Sequence, residues 1–208
     1  MRLLLFSDVH RDAASAYRLV ELAKQVDVVV GAGDFATMRC GLEEIVDVLR
    51  TIDVPTVLVP GNSESYSELS AACLDWPAAK VLHGSGIHLQ GEEFWGIGGA
   101  VPETPFGAWS YDFSEVDARS LLADCPQQAI LVSHSPPKGI LDVSSTGQSL
   151  GSVAVREVID DKQPKLVVCG HIHESGGRSD QTQATSVVNA GPTGLIWDLK
   201  DSPGSDSA

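Results

Sequence analysis

Five short runs of apolar, β-favouring residues each end beside a side chain able to bind a metal ion. Leu3–Phe6 precedes Asp8 and His10, and Val28–Val30 precedes Asp34. Val57–Val59 precedes Asn62, Ile130–Val132 precedes His134, and Leu166–Val168 precedes His171 and His173. Three carboxylate or carboxamide groups with four imidazoles are too many donors for one ion and about the right number for two. The set offers oxygen and nitrogen without thiolate, which points to Mn²⁺, Fe, Zn²⁺ or Ni²⁺. Cys169 adjoins Gly170-His171-Ile172-His173, yet it closes an apolar run and is read as a buried small hydrophobe.

Elements must bring these residues together. In an open α/β sheet, ligands gather at the carboxyl ends of parallel strands, so side chains scattered over the chain meet on one rim. Asp12 followed by Ala16, Leu19, Val20 and Ala23 predicts an N-capped amphipathic helix, and Leu42, Ile45, Val46 and Leu49 repeat the stripe. With the runs at 28–30 and 57–59 they make a β-α-β-α-β series with a parallel sheet. Val81–Leu82, Ile87–Gln90 and Phe94–Ile97 lack helices between them and predict antiparallel hairpins of a second sheet. Helices over Glu115–Ala123 and Val153–Ile159, the latter capped by Ser152, resume the parallel pattern with Ile130–Val132 and Leu166–Cys169. Ser186–Val188 and Gly194–Leu199 close the chain as strands without an intervening helix. The expected fold is α/β, a four-layer α/β/β/α sandwich of two facing mixed sheets flanked by helices. One domain spans residues 1–200, and 201–208 is expected to be a disordered tail.

Composition narrows the function. The 208 residues are 43% hydrophobic, which fits a globular domain, and Met1–Phe6 is too short for a secretory signal before the charged Asp8–Asp12 stretch. A net charge of −14 opposes a long nucleic acid, whose binding depends on neutralising phosphates, but leaves room for a small phosphate ester beside bound cations. Four widely spaced cysteines with no Cys-x-x-Cys pair predict reduced thiols and the cytoplasm, with no membrane association.

Taken in order, the motifs are Asp8-Val-His10, Gly33-Asp34, Gly61-Asn62-Ser63-Glu64, Ser133-His134-Ser135 and Gly170-His171-Ile172-His173. This series resembles the calcineurin-like metallophosphoesterase superfamily, over about Arg2 to Leu199, and within it the small uncapped phosphodiesterase-like members. The resemblance implies that Asp8, His10 and His173 bind one metal, that Asn62, His134 and His171 bind a second, and that Asp34 bridges them. It favours Mn²⁺ and makes Asp34, Asn62, His134 and Ser63 the catalytic positions. A carboxylate can give one oxygen to each ion, and His171 and His173, two apart on an extended segment, would point to the same side. Two ions about 3.5–4 Å apart lower the pKa of a water held between them and neutralise charge on phosphoryl oxygens. Hydrolysis of a small phosphodiester, with nucleotides among the candidates, by a metal-bridging hydroxide is the expected reaction. A phosphomonoesterase and a non-catalytic protein-binding scaffold of the same fold are the alternatives.

Ser63 departs from the superfamily pattern, which in many members carries a histidine there. A serine hydroxyl donates a hydrogen bond but is a very weak acid, so the site should favour leaving groups that depart readily as anions. His83 and His88 are candidates for the missing acid, and Glu64 for a supporting partner of the ligands. Phe106 and Trp109, in the Gly-rich stretch 96–109, serve either as a cleft wall or as core aromatics. Arg11 and Lys138 neighbour the ligands and are read as solvated charges.

Overall fold

The computed structural model describes residues 1–182 and 184–199, so the expected tail at 201–208 lies outside the described residues. The first sheet has the order β11 (Leu195–Asp198), β1 (Arg2–Phe6), β2 (Val28–Gly31), β3 (Thr56–Leu58), β4 (Ala79–Val81). The second runs β5 (Ser85–Leu89), β6 (Glu92–Ile97), β7 (Ile130–Ser133), β8 (Leu166–Cys169), β10 (Thr185–Asn189), β9 (Arg178–Thr182). Strands β1 to β4 are parallel, as are β6, β7, β8 and β10, while β11, β5 and β9 pair antiparallel at three of the edges.

Period-2 alternation explains the four layers. Leu3 and Leu5 of β1, Val28 and Val30 of β2 and Val57 of β3 face Phe94, Ile130, Val132, Leu166, Val168 and Val188 of the second sheet, forming the core between the sheets. The alternate residues Leu4, Phe6, Val29 and Leu58 pack outward on three helices, α1 (Ala13–Ala23), α2 (Leu42–Leu49) and α3 (Tyr66–Ala72). On the far side Ile97, Leu131, Val167 and Val187 meet α4 (Glu115–Leu122) and α5 (Val153–Lys162). The central strands are buried on both faces, which is why they read as continuous apolar runs. The α/β/β/α sandwich is thus as expected.

Asp12 caps α1, accepting from Ala14 N at 3.0 Å, and Ser152 caps α5. Two expectations are corrected. Val81 belongs to β4, a parallel strand of the first sheet, so a single hairpin, β5–β6, stands in the middle region. Strand β6 is also parallel to β7, which sets the Gly-rich segment after Ile97 on the same rim as the other strand-end loops.

Candidate metal centre

All seven predicted residues converge on the rim formed by the strand ends. Side-chain donor atoms of Asp8, His10 and His173 lie within 4.8 Å of one another, and so do those of Asp8, Asp34 and His134. Asn62 Oδ1 lies 3.2 Å from His134 Nε2 and 3.0 Å from His171 Nδ1, which brings in the last two. Asp34 spans the arrangement: its Oδ2 is 3.4 Å from His10 Nε2 and its Oδ1 3.6 Å from His134 Nε2. Asp8 also reaches both groups, with Oδ1 3.6 Å from His173 Nε2.

The loops are held in unusual backbone. Asp8, His10, Asp34 and His171 have φ of 56°, 45°, 58° and 65°, in the left-handed region that non-glycine residues seldom adopt. Such positions cost about 1–3 kcal/mol each and persist where the surroundings enforce them. Enforcement is visible in the bonds between loops: Asp8 N donates to Gly33 O at 2.8 Å, His10 N to Asp34 O at 3.0 Å, and His171 N to Asp8 Oδ1 at 3.0 Å. The sequence-based expectation of an extended His171–His173 segment is therefore corrected. His171 is left-handed and His173 opens a 3₁₀ turn, His173–Ser175, yet both rings still reach the rim.

Hydrogen bonds to the rings define what the centre can hold. His134 Nδ1–H donates to Ala32 O at 2.8 Å and His10 Nδ1–H to Ala36 O at 3.0 Å, so in the neutral rings each Nε2 carries a lone pair. His134 Nε2 then faces Asn62 Oδ1, and His10 Nε2 faces His173 Nε2 at 3.1 Å. With His134 neutral, its Nε2 and Asn62 Oδ1 are two acceptors that repel unless a cation lies between them, whereas the two nitrogens of the His10–His173 pair can share one proton or one cation. The two groups of oxygen and nitrogen donors meeting on the rim fit divalent metal, and seven donors are more than a single ion takes up. Charge agrees. Burial works against ionised Asp8, yet its bond with His173, the charge of His134 and the Ser7 hydroxyl bring its pKa down to about 2. Burial lowers His134 as well, but Asp34 and Asp8 outweigh it and raise the ring, while the bond to Asp8 raises His173. His171, buried and beside His134, is pushed down to about 4 and so presents a neutral nitrogen.

Supporting groups surround the seven. Glu64, fully enclosed, accepts from Asp34 N at 2.9 Å, Gly61 N at 2.6 Å and Ala36 N at 3.0 Å, tying the β2 loop to the β3 loop. Burial and the charge of Asp34 push its pKa up to about 7. Asn189, not singled out in the sequence, donates both amide protons, to Gly170 O at 3.1 Å and Ile172 O at 3.0 Å, and so anchors the loop carrying His171. No motif marks it, because its role depends on β10 lying beside β8.

A cleft of about 330 Å³ opens over the centre, with His10, Asp34, Asn62, His171 and His173 on its floor and Ser63 beside them. Its wall is mostly apolar, with Met38, Phe106, Trp109 and Leu150 alongside Thr37, Ser144 and Glu174, and the Phe106 and Trp109 rings stack at 5.5 Å and 10°. Among the described residues no lysine or arginine lines it. Arg11 turns to Glu44 at 3.7 Å, and Lys138 Nζ donates to Ser149 O at 2.6 Å. His83 lies outside the cleft among Tyr66, Tyr111 and Phe113, and His88 pairs with Glu93 on the exposed β5–β6 hairpin. Cys169 is wholly buried in the core under α4 and α5, as a small hydrophobe.

The family model described as "Calcineurin-like phosphoesterase superfamily domain" matches residues 1–202. Human and mouse Metallophosphoesterase domain-containing protein 1 are each 32% identical over 142 residues, 64% of this chain, and the match spans only 39% of their length. Among solved structures, TT1561 of Thermus thermophilus superposes with a TM-score of 0.75 at 18% identity, covering 96% of this chain and 99% of that one. A dimetal phosphatase from Danio rerio superposes at 0.61 with 14% identity, over 91% of this chain and 86% of that chain. These two likenesses speak to the fold alone. From the family match, the chain belongs to the calcineurin-like phosphoesterase superfamily.

Proposed function

We propose that the protein is a binuclear metal-dependent phosphodiesterase acting on a small organic phosphodiester. Asp8, His10 and His173 hold one ion, Asn62, His134 and His171 the other, and Asp34 serves both. The observation that carries this reading is the meeting of two donor groups at the rim, His10 Nε2 beside His173 Nε2 and His134 Nε2 beside Asn62 Oδ1, with Asp34 between them. Two divalent ions would supply Lewis acidity and an activated water there. Mn²⁺ suits the mixed oxygen and nitrogen donors.

The chain's own residues favour a diester. A diester presents one negative charge to the cleft and a monoester up to two, and no lysine or arginine among the described lining residues meets the second. The mostly apolar wall accepts an organic group on the far side of the phosphorus, and stacking on Trp109 suits a planar ring such as a nucleobase. Ser63 is placed to give a hydrogen bond to the ester but not a proton, so poor leaving groups should react slowly. Four free cysteines, with three buried, accord with a reducing compartment and hence the cytoplasm. Among the described residues no helix is long and apolar enough to cross a membrane.

The test is hydrolysis of bis-(p-nitrophenyl) phosphate against p-nitrophenyl phosphate, after chelation and again with Mn²⁺ restored. Metal-dependent preference for the diester is expected. Faster turnover of the monoester would make the protein a phosphomonoesterase, and two bound ions with neither activity would favour the scaffold.

A further inference from the structure

Asn62 is the candidate ligand with a carboxamide, so its donor atom depends on which way the amide is turned. Its carboxamide has an oxygen on one side and an NH₂ on the other, and only the oxygen can bind a cation. A flip by 180° would aim two N–H protons at His134 and His171 and destroy the second group. Something must hold the amide in one sense.

Resting on the two-ion reading above, we infer that Asp112, acting through Ser110 and helped by Thr104, orients Asn62 as a metal ligand. The chain of bonds has a direction. Ser110 Oγ–H donates to Asp112 Oδ1 at 2.6 Å, and a carboxylate can only accept. Thr104 donates to the other oxygen, its Oγ1 lying 2.7 Å and its backbone N 2.8 Å from Asp112 Oδ2. The serine hydroxyl has a single proton and has given it to Asp112. Towards Asn62 it therefore presents a lone pair, and Asn62 Nδ2 donates to it at 3.0 Å. Oδ1 is thereby turned to His134 and His171. The backbone adds a tether, with Tyr111 N donating to Asn62 O at 2.9 Å. Asp112 is thus a positioning residue, two hydrogen bonds away from the ligand side chain it fixes. The same 104–112 segment carries Phe106 and Trp109, so the cleft wall and the orientation of a ligand are built from one piece of chain.

Two measurements test this. In metal-free, ¹⁵N-labelled protein, the Asn62 side-chain NH₂ should give nuclear Overhauser contacts to the Ser110 β-protons; contacts to the His134 or His171 ring protons instead would overturn the inference without any metal or variant. The second is a double-mutant cycle read by Mn²⁺ binding to the intact chain, with thermal unfolding as the control for folding. In Asp112→Asn the new amide can donate to Ser110, which then donates onward and favours the flipped Asn62. Affinity for the second Mn²⁺ should fall about 10–100-fold, the usual effect of losing a group that orients a ligand. With Asn62→Asp as background, the ligand is a symmetric carboxylate with no wrong sense, so adding Asp112→Asn should not weaken the second Mn²⁺. The same loss in both backgrounds would reduce Asp112 to a general structural role and refute the inference. Wild-type protein that shows the Ser110 contacts but binds fewer than two Mn²⁺ would refute the two-ion reading while leaving the orientation of Asn62 intact.

Discussion

Gly61 lies so close beneath Asp34 that a β-carbon at position 61 would fall on Asp34 Oδ1 and its backbone N. The glycine of this motif is a matter of space as well as turn geometry, since the carboxylate facing both histidine pairs occupies the room a side chain would need. Gly170 stands in the same relation to Asp8, where a β-carbon would meet Oδ2.

Gly61→Ala should therefore displace Asp34 and lower metal content well before it unfolds the sandwich. Elemental analysis after gel filtration, with a thermal melt alongside, checks this. Two retained ions would show that the loop relaxes without moving the carboxylate.

Glu64→Ala should cost at least about 1–3 kcal/mol, because three buried N–H groups lose their acceptor. Denaturant unfolding of the metal-free protein measures it free of any ligand effect. A variant as stable as wild type would mean that water replaces the carboxylate without loss.

Asp142 gives a pH-dependent test away from the metals. Burial opposes its ionised form, but the Ser149 hydroxyl, Gly139 N and Gly151 N, with Lys138 nearby, hold its pKa below the usual 3.8. A carboxyl whose folded pKa is depressed adds stability above its unfolded pKa and loses it as pH falls through the folded one. Asp142→Asn should be less stable than wild type at pH 7 by about 1–3 kcal/mol, with the gap closing as pH falls below 3.8. A gap independent of pH would place the effect elsewhere.

Much of this architecture is legible in the chain because strands buried on both faces are written as plain apolar runs, and each ends on its ligand. Other parts are hidden for physical reasons. Helix α3 escapes hydrophobic periodicity since only Leu69 is buried, although Ser65 and Glu68 form a capping box that marks its start. Strand β9 is polar and exposed, held by pairing with β10 and by no alternation of its own. The left-handed backbone at Asp8, His10, Asp34 and His171 arises from bonds between distant loops, which local spacing does not encode. The cleft wall joins three such loops, so neither Met38 nor Leu150 is marked in sequence.

Trp109→Ala should raise KM for aryl diesters about 2- to 10-fold, the worth of an aromatic contact at about 0.5–1.5 kcal/mol, with kcat and metal content little changed. Steady-state kinetics on a series sharing the p-nitrophenoxide leaving group, with methyl or phenyl as the second ester, separates stacking from leaving-group effects. An equal change for both esters would take Trp109 out of ligand recognition.

Two ions acting together across Asp34 are the centre of the proposed chemistry. The most direct measurement adds Mn²⁺ stepwise to metal-free protein while bound ion and hydrolysis of bis-(p-nitrophenyl) phosphate are followed in the same sample. Activity should rise with the second equivalent in wild type, and Asp34→Asn should lose both the second equivalent and most of the rate. Full activity with one ion bound, or wild-type turnover in Asp34→Asn, would contradict the two-ion mechanism.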